Sequence, residues 1–327
     1  MPLIKQSTYQ AHPLIRNKHL QTILPATMRK VNGVSFQRER ITIFDGDFLD
    51  LDWLPAFNGQ ASSSLVIVSH GLEGSTDRAY IQGMAKIFAQ NGYDALAWNH
   101  RSCSGEPNRL LRFYHSGATE DLKAVIDHAL SLKKYTKIFL VGFSLGGNMT
   151  LKYLGEQGEN LPAEIQKAAV FSVPLHLSSC SLSLRKAENW IYAWSFKRKL
   201  KQKVRLKAKR MPEQLTTNEL SKVKDLRDFD NIYTAPLHGF ENAEDYYEKC
   251  SSLYFLDTIK IKTLIVNALN DSFLQPLCYP TALVGKLEHV YLELPAQGGH
   301  CGFAPPDKQG YYWSERRALE WINDVTI

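Results

Sequence analysis

The sequence predicts an α/β domain: a mostly parallel central sheet, helices on both faces and a helical cap insertion. Three observations carry this. Continuous apolar runs, LVIVS at 65–69 and KIFLVGF at 137–143 among them, suit strands buried on both faces. Amphipathic stretches of helical spacing alternate with those runs, as crossovers in a parallel sheet require. Between residues 175 and 250 the rhythm breaks, and the chain turns basic and aromatic with no strand pattern.

The elements follow in order. Residues 1–35 read as an irregular arm, with His12-Pro13 and Leu24-Pro25 as breakers. Residues 34–44 and 48–54 alternate, and Asp45-Gly46 supplies a hairpin turn, so the opening is an antiparallel pair. Strand 65–69 is followed by a helix over 79–92 that closes on Gly92, then a strand over 94–98. An amphipathic helix spans 118–132, with Thr119 offering a cap. Strand 137–143 leads into a helix over 148–158, and a strand covers 167–174. After the insertion, strands at 263–269 and 289–295 resume the sheet, and a helix over 314–325 closes the chain. The expected organisation is a core of residues 1–174 and 251–327, including the arm 1–35, interrupted by a cap at 175–250.

Composition bounds the function. At 44% hydrophobic and 22% charged the chain is too apolar to be disordered. A net charge of +6 over 327 residues is too slight for a dedicated nucleic-acid binder, and no nucleic-acid partner is expected. The first twenty residues hold no uninterrupted apolar segment, so no signal peptide is expected. No stretch approaches about eighteen apolar residues, the length a membrane-spanning helix needs. The five cysteines are scattered and form no CxxC pair, which argues against disulfides and zinc and points to a reducing, cytoplasmic setting. Histidines do not cluster at metal-ligand spacing, and no phosphate-binding glycine loop follows a strand, so neither metal nor cofactor is expected.

The sharpest local signal is Gly142-Phe143-Ser144-Leu145-Gly146-Gly147, a G-x-S-x-G between a buried strand and a helix. That context is where a nucleophile elbow lies. Gly142 and Gly146 leave room for the tight turn, and the helix N-terminus aims free N–H groups at developing negative charge. A serine hydroxyl needs a base. The chain order serine, acid, histidine is met by Asp271, after strand 263–269, and by His300, after strand 289–295. His300 would shuttle the proton, and Asp271 would hold its tautomer. Asp307 competes weakly, because it follows His300. Two backbone donors should face the oxyanion: the Leu145 N–H, and the Leu72 N–H in Ser69-His70-Gly71-Leu72-Glu73-Gly74. His70, Phe143 and Arg101 are candidates to line the pocket. His70 also suits a structural hydrogen bond, and Arg101 suits a structural loop. Cys301 is read as packing, since no elbow surrounds it.

These residues resemble the YheT-like α/β-hydrolases. The matching segments are HPLIRNKHLQTILP, SHGLEGS, NHRSCSGEPNRLLRFYHSGATEDL, GFSLGGNMTLKYLGE, and the Asn-Asp and Gly-Gly-His pairs. The resemblance covers nearly the whole chain and is most specific in the N-terminal arm and at 99–122. It implies the α/β-hydrolase fold, a charge relay of Ser144, Asp271 and His300, and an esterase-type activity; eukaryotic relatives include lipid-directed esterases and phospholipases. The expected activity is hydrolysis of carboxylic esters through an acyl-enzyme. The alternatives are a lipase or phospholipase at a membrane surface, or a catalytically silent binding scaffold. The expected partner is a small ester or lipid, with no obligate protein partner. Segment 190–210 interleaves four aromatics with a dense Lys/Arg run. It could rest weakly on anionic lipid, but the favoured reading is a solvated basic helix with its aromatics in the cap core.

Overall fold

The computed structural model describes residues 2–324; Met1 and residues 325–327, the last of the predicted core and closing helix, lie outside the described residues. Among the described residues one nine-stranded sheet runs in the order β1-β9-β8-β7-β6-β4-β5-β3-β2. The strands are β1 (Leu3–Ile4), β2 (Gln37–Thr42), β3 (Phe48–Leu54), β4 (Ser64–Ser69), β5 (Asp94–Asn99), β6 (Lys137–Phe143), β7 (Ile165–Phe171), β8 (Lys262–Val266) and β9 (Val290–Glu293). From β5 across to β1 all pairings are parallel; β2 and β3 are antiparallel, and β3 meets β5 antiparallel. The expected opening hairpin is therefore present, with β3 over the expected 48–54 and β2 shorter than the alternation over 34–44 suggested.

Strand β2 shows why Asp50 and Asp52 tolerate burial. Arg38 lies across from Asp52 and Arg40 from Asp50, and each guanidinium makes two hydrogen bonds to its carboxylate, all at 2.7–2.8 Å. Burying a carboxylate is tolerable when such bonds satisfy it. The charges also blunt the exposed edge.

Helices α1 (Lys18–Met28), α2 (Ala79–Gln90), α3 (Thr119–Ser131) and α4 (Leu145–Gln157) belong to the core, and α11 (Trp313–Asn323) closes it. The cap region holds α5 (Leu177–Ser183), α6 (Trp190–Arg210), α7 (Leu226–Phe229), α8 (Ala235–Leu237) and α9 (Ala243–Cys250); α10 (Thr281–Val284) follows β8. Helices α2 and α11 pack on one face of the sheet with Val66, Val68, Val141 and Phe171. Helices α3 and α4 cover the other, where Leu65, Ile67, Leu140 and Val170 lie. This explains the unbroken apolar runs of β4 and β6, which have no solvent face. The order β6-β4-β5 also sets the switch point, so the crevice beyond the C-terminal ends of β4 and β6 is where a site belongs.

The arm is not irregular. Its first residues add β1 to β9, and α1 begins at Asn17, whose side chain accepts from the N–H groups of His19 at 2.9 Å and Leu20 at 3.3 Å. Pro25 lies inside α1 rather than ending it. It lacks the N–H that would bond the Gln21 carbonyl. That carbonyl instead abuts Gly302, where a Cβ would lie 1.9 Å from it.

Between β7 and β8 the described chain is helical, with its own apolar clusters around Val204, Leu226 and Phe229, and around Tyr246 and Tyr247. The basic helix α6 divides its cations. Lys207 is buried, and its Nζ donates to Asn108 Oδ1 at 2.6 Å, Leu110 O at 2.5 Å and Arg112 O at 2.9 Å, fixing the helix to the 99–118 loop. Lys203 pairs with Glu73 at 2.8 Å. The aromatics are divided too: Tyr192 and Phe196 pack on Phe273, whereas Trp190 and Trp194 are 65% and 52% exposed. The expectation that all of them fill the cap core holds for half, because Trp190 and Trp194 fall on the opposite side of the helix from Tyr192 and Phe196.

Candidate active site

Ser144 is the single residue between β6 and α4. Its backbone sits at φ 52°, ψ −119°, a left-handed conformation costing about 1–3 kcal/mol for a non-glycine residue. Neighbours hold it there: the Ser144 N–H donates to Phe171 O at 2.9 Å, and Ser144 O accepts from Asn148 N at 3.0 Å. Gly146 is required by a close approach, since a Cβ on it would lie 2.5 Å from Ser69 O. The turn projects the Ser144 hydroxyl above the sheet.

His300 reaches it from the loop after β9. Its Nε2 lies 2.9 Å from Ser144 Oγ, and its Nδ1 lies 2.8 Å from Asp271 Oδ2. In the neutral tautomer with the proton on Nδ1, His300 donates to Asp271 and accepts from Ser144. Asp271 is 4% exposed; its Oδ1 accepts from Phe273 N at 2.9 Å, which orients the carboxylate. The Phe273 ring stacks on the imidazole with centroids 4.1 Å apart. Burial opposes charge on His300, but the Asp271 carboxylate outweighs it, with Cys301 adding in the same direction, and the imidazole is pushed up to about 10. Asp307, the weaker competitor, is engaged elsewhere, accepting from Arg316 Nε at 2.8 Å.

Sequence reasoning missed the residues that brace this turn, because they lie in the arm. Gln21 is fully buried. Its Oε1 accepts from Gly298 N and from Asn270 Nδ2, both at 2.9 Å. Asn270 Oδ1 accepts from Gly299 N at 3.0 Å, and Thr22 Oγ1 accepts from His300 N at 2.9 Å. Three successive backbone N–H groups, 298 to 300, are thus tied down by α1 and the Asp271 loop. The readable signal was Asn17, a capping residue ahead of the apolar spacing Leu20, Ile23, Leu24; the proline masked it.

The two backbone donors lie where the elbow and the β4 loop put them. Neither the Leu145 N–H nor the Leu72 N–H has a protein acceptor among the described residues. The Leu72 loop is held from behind. His70 Nδ1 bonds Gly71 O at 2.8 Å, His70 Nε2 accepts from His100 N at 3.2 Å, and Glu73 N donates to Tyr114 Oη at 2.8 Å. Burial drives His70 well below its ordinary value and His100 down to about 4, so both rings stay neutral.

Three pocket-lining expectations are corrected. His70 is fully buried in its loop, with both ring nitrogens engaged. Phe143 is fully buried under the elbow, its ring stacked against Phe171. Arg101 bonds Asp121 at 2.8 and 2.6 Å, Asp47 at 3.1 Å and Asp45 at 2.8 Å, so its donors are spent on three carboxylates. None of the three reaches the cavities at Ser144.

Two cavities meet at Ser144 and His300. The first runs into the cap between Leu145, Leu177, Phe196, Leu200 and Phe229. The second lies between α1, α6 and the 71–80 loop, with Ile191 and Tyr192 among its lining residues. Leu72, Phe196 and Phe273 line both. Among the described residues, no group of three His, Cys, Asp or Glu side chains is arranged to hold a metal ion.

Comparison with known proteins bears on the family and the fold. Residues 64–305 match the family model described as the alpha/beta hydrolase fold. The chain is 34% identical over 311 residues to the "Putative esterase YheT" of Escherichia coli (strain K12), covering 94% of this chain and 90% of that one. It is 30% identical over 289 residues to human "Phospholipase ABHD3", covering 86% of this chain and 70% of that one. Among solved structures, the Pyrococcus furiosus esterase Pf2001 superposes with a TM-score of 0.59 at 18% identity, covering 90% of this chain and 95% of that one, a likeness of fold.

Proposed function

The chain belongs to the YheT-like α/β hydrolases, and from that premise we propose that it is a serine-dependent hydrolase of carboxylic esters. The observation that carries the reading is the continuous contact from Asp271 through His300 to Ser144, at 2.8 and 2.9 Å. His300 takes the hydroxyl proton as Ser144 attacks the ester carbonyl. The tetrahedral oxyanion is stabilised by the Leu72 and Leu145 N–H groups, whose freedom from protein acceptors leaves them for it. The imidazolium, favoured by Asp271, then gives its proton to the departing alcohol, leaving an acyl-Ser144 ester and free alcohol. Water, deprotonated by the same imidazole, releases the acid. The apolar cap cavity accepts the acyl chain. Neither metal nor cofactor is needed for these steps, and a reducing cytoplasm suits the five free thiols.

A fluorophosphonate probe tests the reading. Wild type is expected to be labelled at Ser144, and Ser144→Ala to lose both labelling and ester hydrolysis, by about 10⁶ in kcat. Unlabelled wild-type protein would favour a silent scaffold, and Ser144→Ala activity within tenfold of wild type would refute the assignment.

A second reading, action at an anionic lipid surface, is favoured by one observation. Trp190, Ile191 and Trp194 are exposed on α6 next to the mouth of the second cavity, and Arg198, beside Trp194, continues that face. Among the described residues no helix is long and apolar enough to cross a membrane. Contact would therefore be peripheral.

A further inference from the structure

Two thiols that the proposed chemistry leaves unused meet at the root of the cap. Cys180 lies in α5, the first cap helix, and Cys278 lies in the segment between β8 and α10. They are 98 positions apart in sequence, and the fold brings their Sγ atoms to 3.4 Å. Among the described residues no other two cysteine sulfurs make such a contact. The backbone on each side is anchored. Cys278 N donates to Gln275 O at 2.7 Å, and Cys278 O accepts from Asn267 Nδ2 at 2.9 Å. Helix α5 is tied to the loop behind Asp271, since Ser183 Oγ donates to Ser272 O at 2.8 Å and accepts from Gln275 Nε2 at 3.0 Å. The two sulfurs differ in access. Cys278 is fully buried, whereas Cys180 lines the cap cavity together with Ser144 and His300. They differ in charge as well. The hydrogen bond from Cys180, helped by nearby backbone N–H groups, holds the Cys278 thiol below its ordinary value; the same contact, with burial, holds Cys180 well above it.

We propose that Cys180 and Cys278 form a modification site, where a small hydroperoxide entering the cap cavity converts the pair to a disulfide that staples the cap to the loop behind Asp271. The first step falls on the accessible sulfur. Cys180 Sγ attacks one peroxide oxygen and the O–O bond breaks. The Cys180 proton leaves with the other oxygen, as water or alcohol, and Cys180 becomes a sulfenic acid. Cys278 Sγ then attacks the oxidised sulfur, the S–O bond breaks, and the hydroxide leaves with the Cys278 proton as water. The dithiol is oxidised by two electrons, and the peroxide is reduced by two. Closure brings the sulfurs together by about 1.4 Å, from 3.4 Å to a bonded separation of about 2.05 Å. A resolving sulfur already in contact favours the disulfide over further oxidation of Cys180. In a reducing setting the pair stands as two thiols, and the staple forms when peroxide reaches the cavity.

The test treats the full chain, reduced and then freed of reductant, with hydrogen peroxide at neutral pH. Peptide mapping without reductant is expected to join the Cys180 and Cys278 peptides, with the mass of two hydrogens lost. The melting temperature should rise by several degrees, because a closed loop of this length restrains the unfolded chain, and dithiothreitol should bring it back. In Cys278→Ala peroxide should leave the melting temperature unraised, and dimedone should trap the sulfenic acid on Cys180. Should that variant not fold, Cys180→Ser, which removes the accessible sulfur, should abolish the joined peptides and leave Cys278 unmodified. If both wild-type thiols stay reduced under peroxide, or if Cys180 goes on to a sulfinic acid without joining Cys278, the two sulfurs are packing and the proposal fails. A joined peptide that appears only in urea, or one that links a different pair of cysteines, overturns it as well. None of these readouts depends on ester hydrolysis, so their failure and the failure of that reading are distinguishable.

Discussion

Replacing Gln21 by leucine should cripple a centre that Gln21 never touches. The substitution keeps the bulk and removes four hydrogen bonds: from Gly298 N and Asn270 Nδ2 to Oε1, and from Nε2 to Ile15 O at 2.7 Å and Gln297 Oε1 at 3.2 Å. Because Gln21 is fully buried, water cannot replace them. A buried polar group left unpaired costs about 1–3 kcal/mol, and at least the Gly298 N–H and the Asn270 amide are stranded, so the loss is roughly 2–6 kcal/mol. The melting temperature should fall by several degrees. The larger effect is on rate. Gly298 opens the turn that delivers His300, and displacing a catalytic group by about 1 Å costs on the order of 10²-fold. The assay is kcat and KM for p-nitrophenyl butyrate, measured well below the variant's own melting temperature. Kcat is expected to fall about a hundredfold with little change in KM. A kcat within threefold of wild type, with the melting temperature lowered, would mean that α1 supports the fold and not the geometry of His300.

Asp271→Asn should keep a hydrogen bond to the imidazole while favouring the wrong tautomer, and should cost roughly 10⁴ in kcat; a nearly silent variant would place the acid elsewhere. Since His300 is held above its unfolded value of 6.5, kcat/KM should rise with pH with an inflection above 6.5, and Asp271→Asn should lower that inflection. The same shift gives stability that is full below about pH 6.5 and is lost as pH rises toward about 10, so wild type should lose more melting temperature than Asp271→Asn across that window. For the lipid-surface reading, Trp190→Ala with Trp194→Ala should release the protein from anionic vesicles and spare hydrolysis of a soluble ester; wild type that does not co-sediment with such vesicles at low salt would remove that reading.

The sheet was legible because its strands are buried on both faces, so β4, β6 and β8 stand out as apolar runs whatever surrounds them. Ser144, Asp271 and His300 were legible for another reason: each sits in the segment that follows a strand, where the fold projects side chains into the crevice. What escaped was long-range. Gln21 and Thr22 act on residues about 280 positions away, and nothing local marks a glutamine as a brace. Arg101 looked available to a substrate because the three aspartates that enclose it, Asp45, Asp47 and Asp121, come from two other segments. In α6 the charge density was plain, but which cations turn inward depended on the carbonyls of the 108–112 loop. Helix α1 was hidden by one residue, Pro25, which lies inside the helix rather than ending it.

The clasp between α1 and the Gly298–Gly302 turn has a consequence for when the centre comes into being. A ribosome makes the bracing residues before the elbow and the imidazole after it, about 280 positions later than the brace. Strand β1 likewise waits for β9, and the Tyr9 hydroxyl for Ala304 O, which it reaches at 2.7 Å. The elbow at Ser144 can form earlier, but it has no base to work with until the turn that carries His300 has emerged. Contacts of such sequence separation close slowly, so the clasp can form only after the residues between its two halves have been made. A fused partner that immobilises it during that interval should slow the gain of activity far more than it lowers the final stability.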